Sequence, residues 1–116
     1  MLIKIDERSA VPIYQQIAAQ IRRTIASGEL QPGDRLLAVR ELADSLGINL
    51  HTVRAAYAEL RAEHLVDMRR GRPVSVLAGA VPVALVTDLA RNLVIEARRF
   101  GLTDAEIVDL VKGQCS

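Results

Sequence analysis

Residues 39–76 read VRELADSLGINLHTVRAAYAELRAEHLVDMRRGRPVSV, and this stretch decides the fold. Val39 to Leu46 carries Leu42, Ala43 and Leu46 at the spacing of one helical face. Gly47 comes next, where a residue without a Cβ turns the chain at least cost, and Ile48 is placed to plug the angle between two helices. A second helix, from Leu50 or His51 to Glu63, buries Val53, Ala56, Tyr57 and Leu60 on its spacing. Two extended segments, Leu65 to Arg69 and Pro73 to Leu77, are then joined around Gly71 as a hairpin. Helix, tight turn, helix and basic hairpin is the plan of a winged helix-turn-helix, which lays its second helix in a DNA major groove.

Upstream, residues 2–5 (LIKI) predict a short strand, and a helix runs from about Pro12 to Ser27. Ile13, Ile17, Ile21 and Ile25 recur every four residues with Ala18 alongside, and Gly28 is placed to cap the end. Leu30-Gln31-Pro32-Gly33-Asp34 follows as a turn. Downstream, Ala78-Gly79-Ala80 reads as a linker before a helix over 82–100. That helix is apolar on more than one face, with Leu85, Ala90, Val94 and Ile95 outside its main stripe, so it calls for a partner. Gly101 breaks it, and Thr103 with Glu106 forms a capping box for a last helix to about Val111. The expected architecture is mainly α with a small β-wing. A winged helix-turn-helix over residues 1–78 is followed by a two-helix C-terminal dimerisation tail over 79–116. The tail's dimerisation residues are expected at Val86, Leu89, Leu93, Val94, Ala97, Phe100, Ile107, Leu110 and Val111.

Composition narrows the function by exclusion. The chain has 116 residues, half of them hydrophobic, enough for one compact domain and an appendage. Tyr14, Tyr57 and Phe100 are its only aromatics and read as core residues, not stacking platforms. Net charge is +1, so any case for nucleic acid must rest on where the arginines sit. Residues 1–80 hold 11 Lys/Arg against 9 Asp/Glu, and residues 81–116 hold 4 against 5. Arg69, Arg70 and Arg72 cluster at the hairpin, either gripping DNA or keeping a sheet edge from aggregating. A lone Cys115 near the end reads as an incidental thiol, with an intermolecular bridge as the alternative, and fits a reducing compartment. No run approaches a membrane span and the start does not resemble a signal peptide, so a cytoplasmic location without membrane partners is expected. No nucleophile elbow, phosphate-cradling loop or metal-ligand spacing is present, which argues against an enzyme and against any metal or cofactor. Asp104, Glu106 and Asp109 read as ordinary helix-start acids.

Several motifs in register resemble the GntR-type bacterial transcription regulators. They are Pro12-Ile13-Tyr14-Gln15-Gln16-Ile17, Gly28 through Leu36 (GELQPGDRL), Arg40-Glu41-Leu42-Ala43, Leu46-Gly47-Ile48 and Thr52-Val53-Arg54. The brief tail and Ala56-Tyr57-Ala58-Glu59-Leu60 look like the YtrA-like subfamily, whose members lack a large effector domain. The resemblance implies DNA contact at Arg40, Asn49, Leu50, His51, Thr52, Arg54 and Gly71, with Arg70 and Arg72 beside the glycine. Relatives usually carry Pro-Ser where this chain has Leu37-Ala38, so a serine N-cap is missing. Many also have arginine at position 50, where leucine is limited to apolar contact such as a thymine methyl.

The residues themselves fit that role. Arg40 and Arg54 are not needed by the core and can clamp phosphate or read guanine with a two-pronged fork. Asn49, His51 and Thr52 crowd the helix N-terminus, where free backbone N–H groups favour phosphate; Asn49 and Thr52 equally suit capping, and His51 equally suits solvent. His64 reads as structural or solvated. The expected function is a dimeric repressor on an inverted-repeat operator of double-stranded DNA, for which the resemblance implies a neighbouring transporter operon. The alternative is a winged helix that docks proteins instead, which Leu50 and the near-neutral charge favour. A small-molecule effector would have to use the dimer seam or the crevice between tail and winged helix, because about 36 residues can hardly enclose a pocket.

Overall fold

The computed structural model describes residues 2–115. Five helices and a two-stranded hairpin follow in the order α1 (Ile13–Ala26), α2 (Val39–Leu46), α3 (Leu50–Ala62), β1 (Val66–Asp67), β2 (Ser75–Val76), α4 (Ala80–Arg99) and α5 (Asp104–Gln114). This is the winged helix-turn-helix with two further helices. Ile17, Ala18, Ile21 and Ile25 of α1 pack with Leu42 and Ala43 of α2 and with Val53, Ala56, Tyr57 and Leu60 of α3. Ile13, Tyr14 and Leu46 flank that core half-buried. The core is aliphatic apart from Tyr57.

Glycines end the helices where the sequence places them. Gly47 is left-handed at φ 67°, and the Ile48 N–H donates back to the Ala43 carbonyl at 3.0 Å, which closes α2 and turns the chain into α3. The end of α3 is closed the same way without a glycine. His64 takes φ 62°, and the Leu65 N–H reaches the Leu60 carbonyl at 3.0 Å. His64 is exposed and its role is structural.

Arg22 was not anticipated in the core. It lies fully buried on the inner face of α1 and forks onto Glu63, with Nη2 2.6 Å from Oε1 and Nε 3.1 Å from Oε2. A charge so enclosed needs a fixed partner, and the fork provides one between α1 and the end of α3.

Residues 2–5 do not form a strand. Two glutamines of α1 take the place of a neighbouring strand: Gln20 accepts from the Lys4 N–H at 2.8 Å and donates to its carbonyl at 2.6 Å. Gln16 does the same for Asp6, at 2.8 and 2.9 Å, and Ile3 is thereby held in the core. The hairpin is also shorter than expected. Val66 pairs with Val76 and Asp67 with Ser75, while the other edge of the second strand is taken by residues 34–36. There the Leu36 N–H donates to the Val74 carbonyl at 2.8 Å and the Val76 N–H to the Asp34 carbonyl at 2.9 Å.

Helix α4 starts at Ala80 and not at 82, because Ala80 and Ala84 are themselves fully buried in the winged-helix core; the linker shrinks to Ala78-Gly79. The chain divides into two compact units inside this helix, one ending at Val86 and one beginning at Thr87, so the first unit extends past residue 78. In the second unit Gly101 ends α4, with the Leu102 N–H on the Ala97 carbonyl at 3.0 Å. The capping box is present, Thr103 accepting from the Glu106 N–H and Glu106 accepting from the Thr103 N–H, and α5 continues beyond Val111 to Gln114.

Candidate nucleic-acid interface

Asn49 is the N-cap of α3, and its Oδ1 accepts the His51 N–H at 2.7 Å. Capping uses only the oxygen, so the Nδ2 amide stays available to a base edge or phosphate. His51 is exposed, and Thr52 is half-buried with its N–H on the Asn49 carbonyl at 3.0 Å. Leu50 differs from expectation. It is half-buried and packs against the core, so it anchors the start of α3. Arg54 stands one turn further along, exposed.

Arg40 is the second residue of α2 and is exposed. The N-cap before it, Ala38, offers no side-chain hydrogen bond, as the missing serine implies. Tyr57 secures this region from below, donating its hydroxyl to the Leu37 carbonyl at 2.7 Å. Burial, and secondarily the Glu41 carboxylate, pushes the Tyr57 hydroxyl well above its ordinary range, so it remains a protonated donor.

At the wing, Arg69, Arg70, Gly71 and Arg72 form a turn closed by the Arg72 N–H on the Arg69 carbonyl at 3.1 Å. Gly71 has φ 80°, and a Cβ there would meet nothing within 4 Å; the backbone conformation, not crowding, selects glycine. Asp67 holds Arg69 at 3.1 Å, which leaves Arg70 and Arg72 exposed at the tip. Arg35, which the sequence pattern did not single out, is brought beside the wing by its bridge to Ser75. Its pairing partner lies forty positions away, so no local pattern reveals it. A cleft of about 1250 Å³ brings together Arg35, Arg54, Arg69, Arg70 and Arg72; Arg40, Asn49, His51 and Thr52 are not in its lining. Among the described residues, the guanidinium groups of Arg35, Arg40, Arg54, Arg70 and Arg72 make no hydrogen bond or ion pair.

The expected dimerisation residues separate into two groups. Val86, Leu89, Phe100, Leu110 and Val111 are exposed and Leu93 and Val94 half-buried. Phe100, at 79% exposure, is therefore not a core residue of the chain. Ala97 and Ile107 are buried within the C-terminal unit and hold its helices instead of facing outward. No group of three or more metal-binding side chains occurs among the described residues. Among the described residues, no helix is long and apolar enough to cross a membrane.

This arrangement defines a winged-helix regulator, and comparison with known proteins gives its family. The profile of the bacterial regulatory proteins, gntR family, matches residues 13–76. The chain belongs to the GntR family of bacterial transcriptional regulators, which bind DNA. It is 32% identical over 117 residues to the HTH-type transcriptional repressor YtrA of Bacillus subtilis, covering 96% of this chain and 90% of that protein. Among solved structures, YtrA from Sulfolobus acidocaldarius, a GntR-family transcription factor, is 42% identical with a TM-score of 0.64, over 81% of this chain and 99% of that one. A GntR family transcriptional regulator from Listeria monocytogenes is 31% identical with a TM-score of 0.65, over 94% and 98%.

Proposed function

We propose that this chain is a homodimeric, cytoplasmic repressor that reads an inverted-repeat operator through Arg40, Asn49, Leu50, His51, Thr52, Arg54 and the wing residues Arg70, Gly71 and Arg72. One observation carries this reading: Arg40 of α2, Arg54 of α3 and Arg70 and Arg72 of the wing are all exposed and without an internal partner. Unpaired guanidinium groups on three elements suit a ladder of phosphates and guanine edges. Asn49 and His51 add hydrogen-bonding groups at the helix tip, and Leu50 adds apolar contact. Against the protein-docking alternative, Leu50 is half-buried and packs against the core, which leaves it little apolar surface to offer a protein partner.

Repression and dimerisation are argued from the relatives and from α4. A YtrA repressor matches nearly the whole chain, and regulation of a neighbouring transporter operon is the target that likeness suggests. On α4 and just past its end, Val86, Leu89 and Phe100 are exposed apolar side chains that a second copy could cover. Two-fold pairing would place two recognition helices about 34 Å apart, one turn of DNA.

The test is anisotropy titration of labelled DNA from upstream of the chain's own gene. Arg40→Ala/Arg54→Ala should lose at least about a hundredfold in specific affinity, for two lost guanidinium contacts, while its thermal transition is unchanged. Wild-type affinity should fall by about 10³–10⁵ between 50 and 200 mM salt, as for six to ten phosphate contacts. Unaltered binding by the double variant would overturn the assignment.

A further inference from the structure

The cleft between α2, α3 and the wing has more in it than a DNA surface requires. Its arginines stand over an apolar floor made of Leu30, Leu36, Leu42 and Val74, with Ile3 and Leu2 at one side. Leu36, Leu42, Ile3 and Val74 retain only a few per cent of their surface, so they present a flat base and not projecting side chains. Half-buried Leu46 and Met68 and exposed Leu37 continue this apolar lining upward. The N-terminal segment that supplies Ile3 is fixed by the Gln20 clasp on Lys4. Five arginines line the space against a single carboxylate, Glu41, and of these only Arg69 is neutralised within the protein.

We infer that this cleft binds a small amphiphilic anion, a free molecule with a carboxylate or phosphate head on an aliphatic body, and that its occupancy excludes DNA. The head would be held by Arg35, Arg54, Arg70 and Arg72, whose guanidinium groups fork onto carboxylate and phosphate alike. The aliphatic body would cover the leucine floor and gain from leaving water. A volume of about 1250 Å³ accommodates such a ligand. The exclusion of DNA rests on the proposed interface, because Arg54, Arg70 and Arg72 belong to both. The response site would then lie in the reading module itself, and ligand and operator would compete directly for the same charges.

The experiment is a methyl NMR titration of the full chain with monomeric dodecyl phosphate below its micelle concentration. Saturable shifts are expected at Leu36, Leu42 and Val74. Dodecyl maltoside, with the same chain and no charge, and inorganic phosphate, with the charge and no chain, should each bind at least about tenfold more weakly. Arg35→Gln/Arg72→Gln should weaken dodecyl phosphate about a hundredfold, the loss expected for two charge-assisted contacts. Shifts confined to Val86, Leu89 and Phe100, equal binding of the neutral analogue, or binding only to anionic phospholipid vesicles would each overturn the site. The titration needs no DNA, so its outcome stands even if the chain fails to bind an operator. A second arm measures release of labelled promoter DNA. Saturation of the cleft without any release would overturn the exclusion.

Discussion

Two residues carry unusual local energies. His64 is held at φ 62°, a conformation that costs a residue with a Cβ about 1–2 kcal/mol. Its side chain is exposed, so little opposes replacement. His64→Gly should therefore raise unfolding stability by about 0.5–1 kcal/mol, part of the gain being offset by the freer unfolded chain, and a urea midpoint shift would show it. Arg22 is the reverse case, a buried charge held by its fork onto Glu63. Arg22→Ala and Arg22→Met should each cost about 3–5 kcal/mol, since both remove the buried charge that forks onto Glu63. A much smaller loss in Arg22→Met, which keeps the volume, would show that packing, not charge pairing, decides this site. The position was legible in part. Arg22 falls four residues after Ala18 and three before Ile25, within the buried stripe of α1, but its polarity masks it in any reading by hydrophobic spacing. Its partner, forty-one residues away, leaves no trace in the local pattern.

At the scale of the elements, capping explains both what could be read and what could not. The ends of α2 and α4 announce themselves through Gly47 and Gly101, and the start of α5 through Thr103 and Glu106, because each motif is local and demands particular residues. The segment at 2–5 could not be read, since its backbone partners are the amides of Gln16 and Gln20, and glutamine on an α-helix carries no such signature. The wing was legible as a hairpin but its third edge was not, because Arg35 pairs with Ser75 across the whole of α2 and α3 in the sequence. Of the proposed DNA contacts, Arg40 and Arg54 follow from family motifs and Arg70 and Arg72 from their clustering at the wing, while the placing of Arg35 beside them depends on its tertiary pairing with Ser75. Two elements give direct tests. Ala38→Ser should supply the missing cap of α2 and stabilise by about 1 kcal/mol, raising the melting temperature by about 4–8 °C; no shift would mean that the new hydroxyl fails to reach the free N–H groups of α2. In α5, the Thr103 backbone N–H and then its hydroxyl hold the Glu106 carboxyl below its usual range. A depressed carboxyl contributes fully above about pH 4.5 and loses its contribution as the pH falls through the lower folded value. The Thr103 amide, whose N–H donates to the Glu106 carboxylate, should thus shift on acidification in the wild type and shift far less in Glu106→Gln.

For the molecule as a whole, the question is what covers the exposed apolar residues along α4 and at its end. Val86, Leu89 and Phe100 are 64%, 60% and 79% exposed, and burying three such side chains yields about 1.5–3 kcal/mol each. A second copy that supplies the same side in return would bury twice that surface under one symmetry axis. Cutting the chain to test this would mislead. Removal after Leu77 would strip Ala80 and Ala84 from the winged-helix core, so loss of folding and loss of pairing would be confounded. A point change separates them. Leu89→Asp leaves the core untouched and places one charge opposite its own copy across the proposed seam, so sedimentation should show a monomer with an unchanged far-ultraviolet spectrum. DNA affinity should drop with it, because each winged helix then binds alone and forfeits the effective concentration that linkage supplies, typically worth about a hundredfold or more. Phe100→Ser should shift the same equilibrium less, as it removes surface without adding charge. If Leu89→Asp still sediments as a dimer, the pairing surface lies elsewhere, and the exposed faces of α5 around Val108, Leu110 and Val111 are the next to alter. If it is monomeric yet binds the operator as tightly as before, half-site linkage contributes nothing and a two-fold operator is not required.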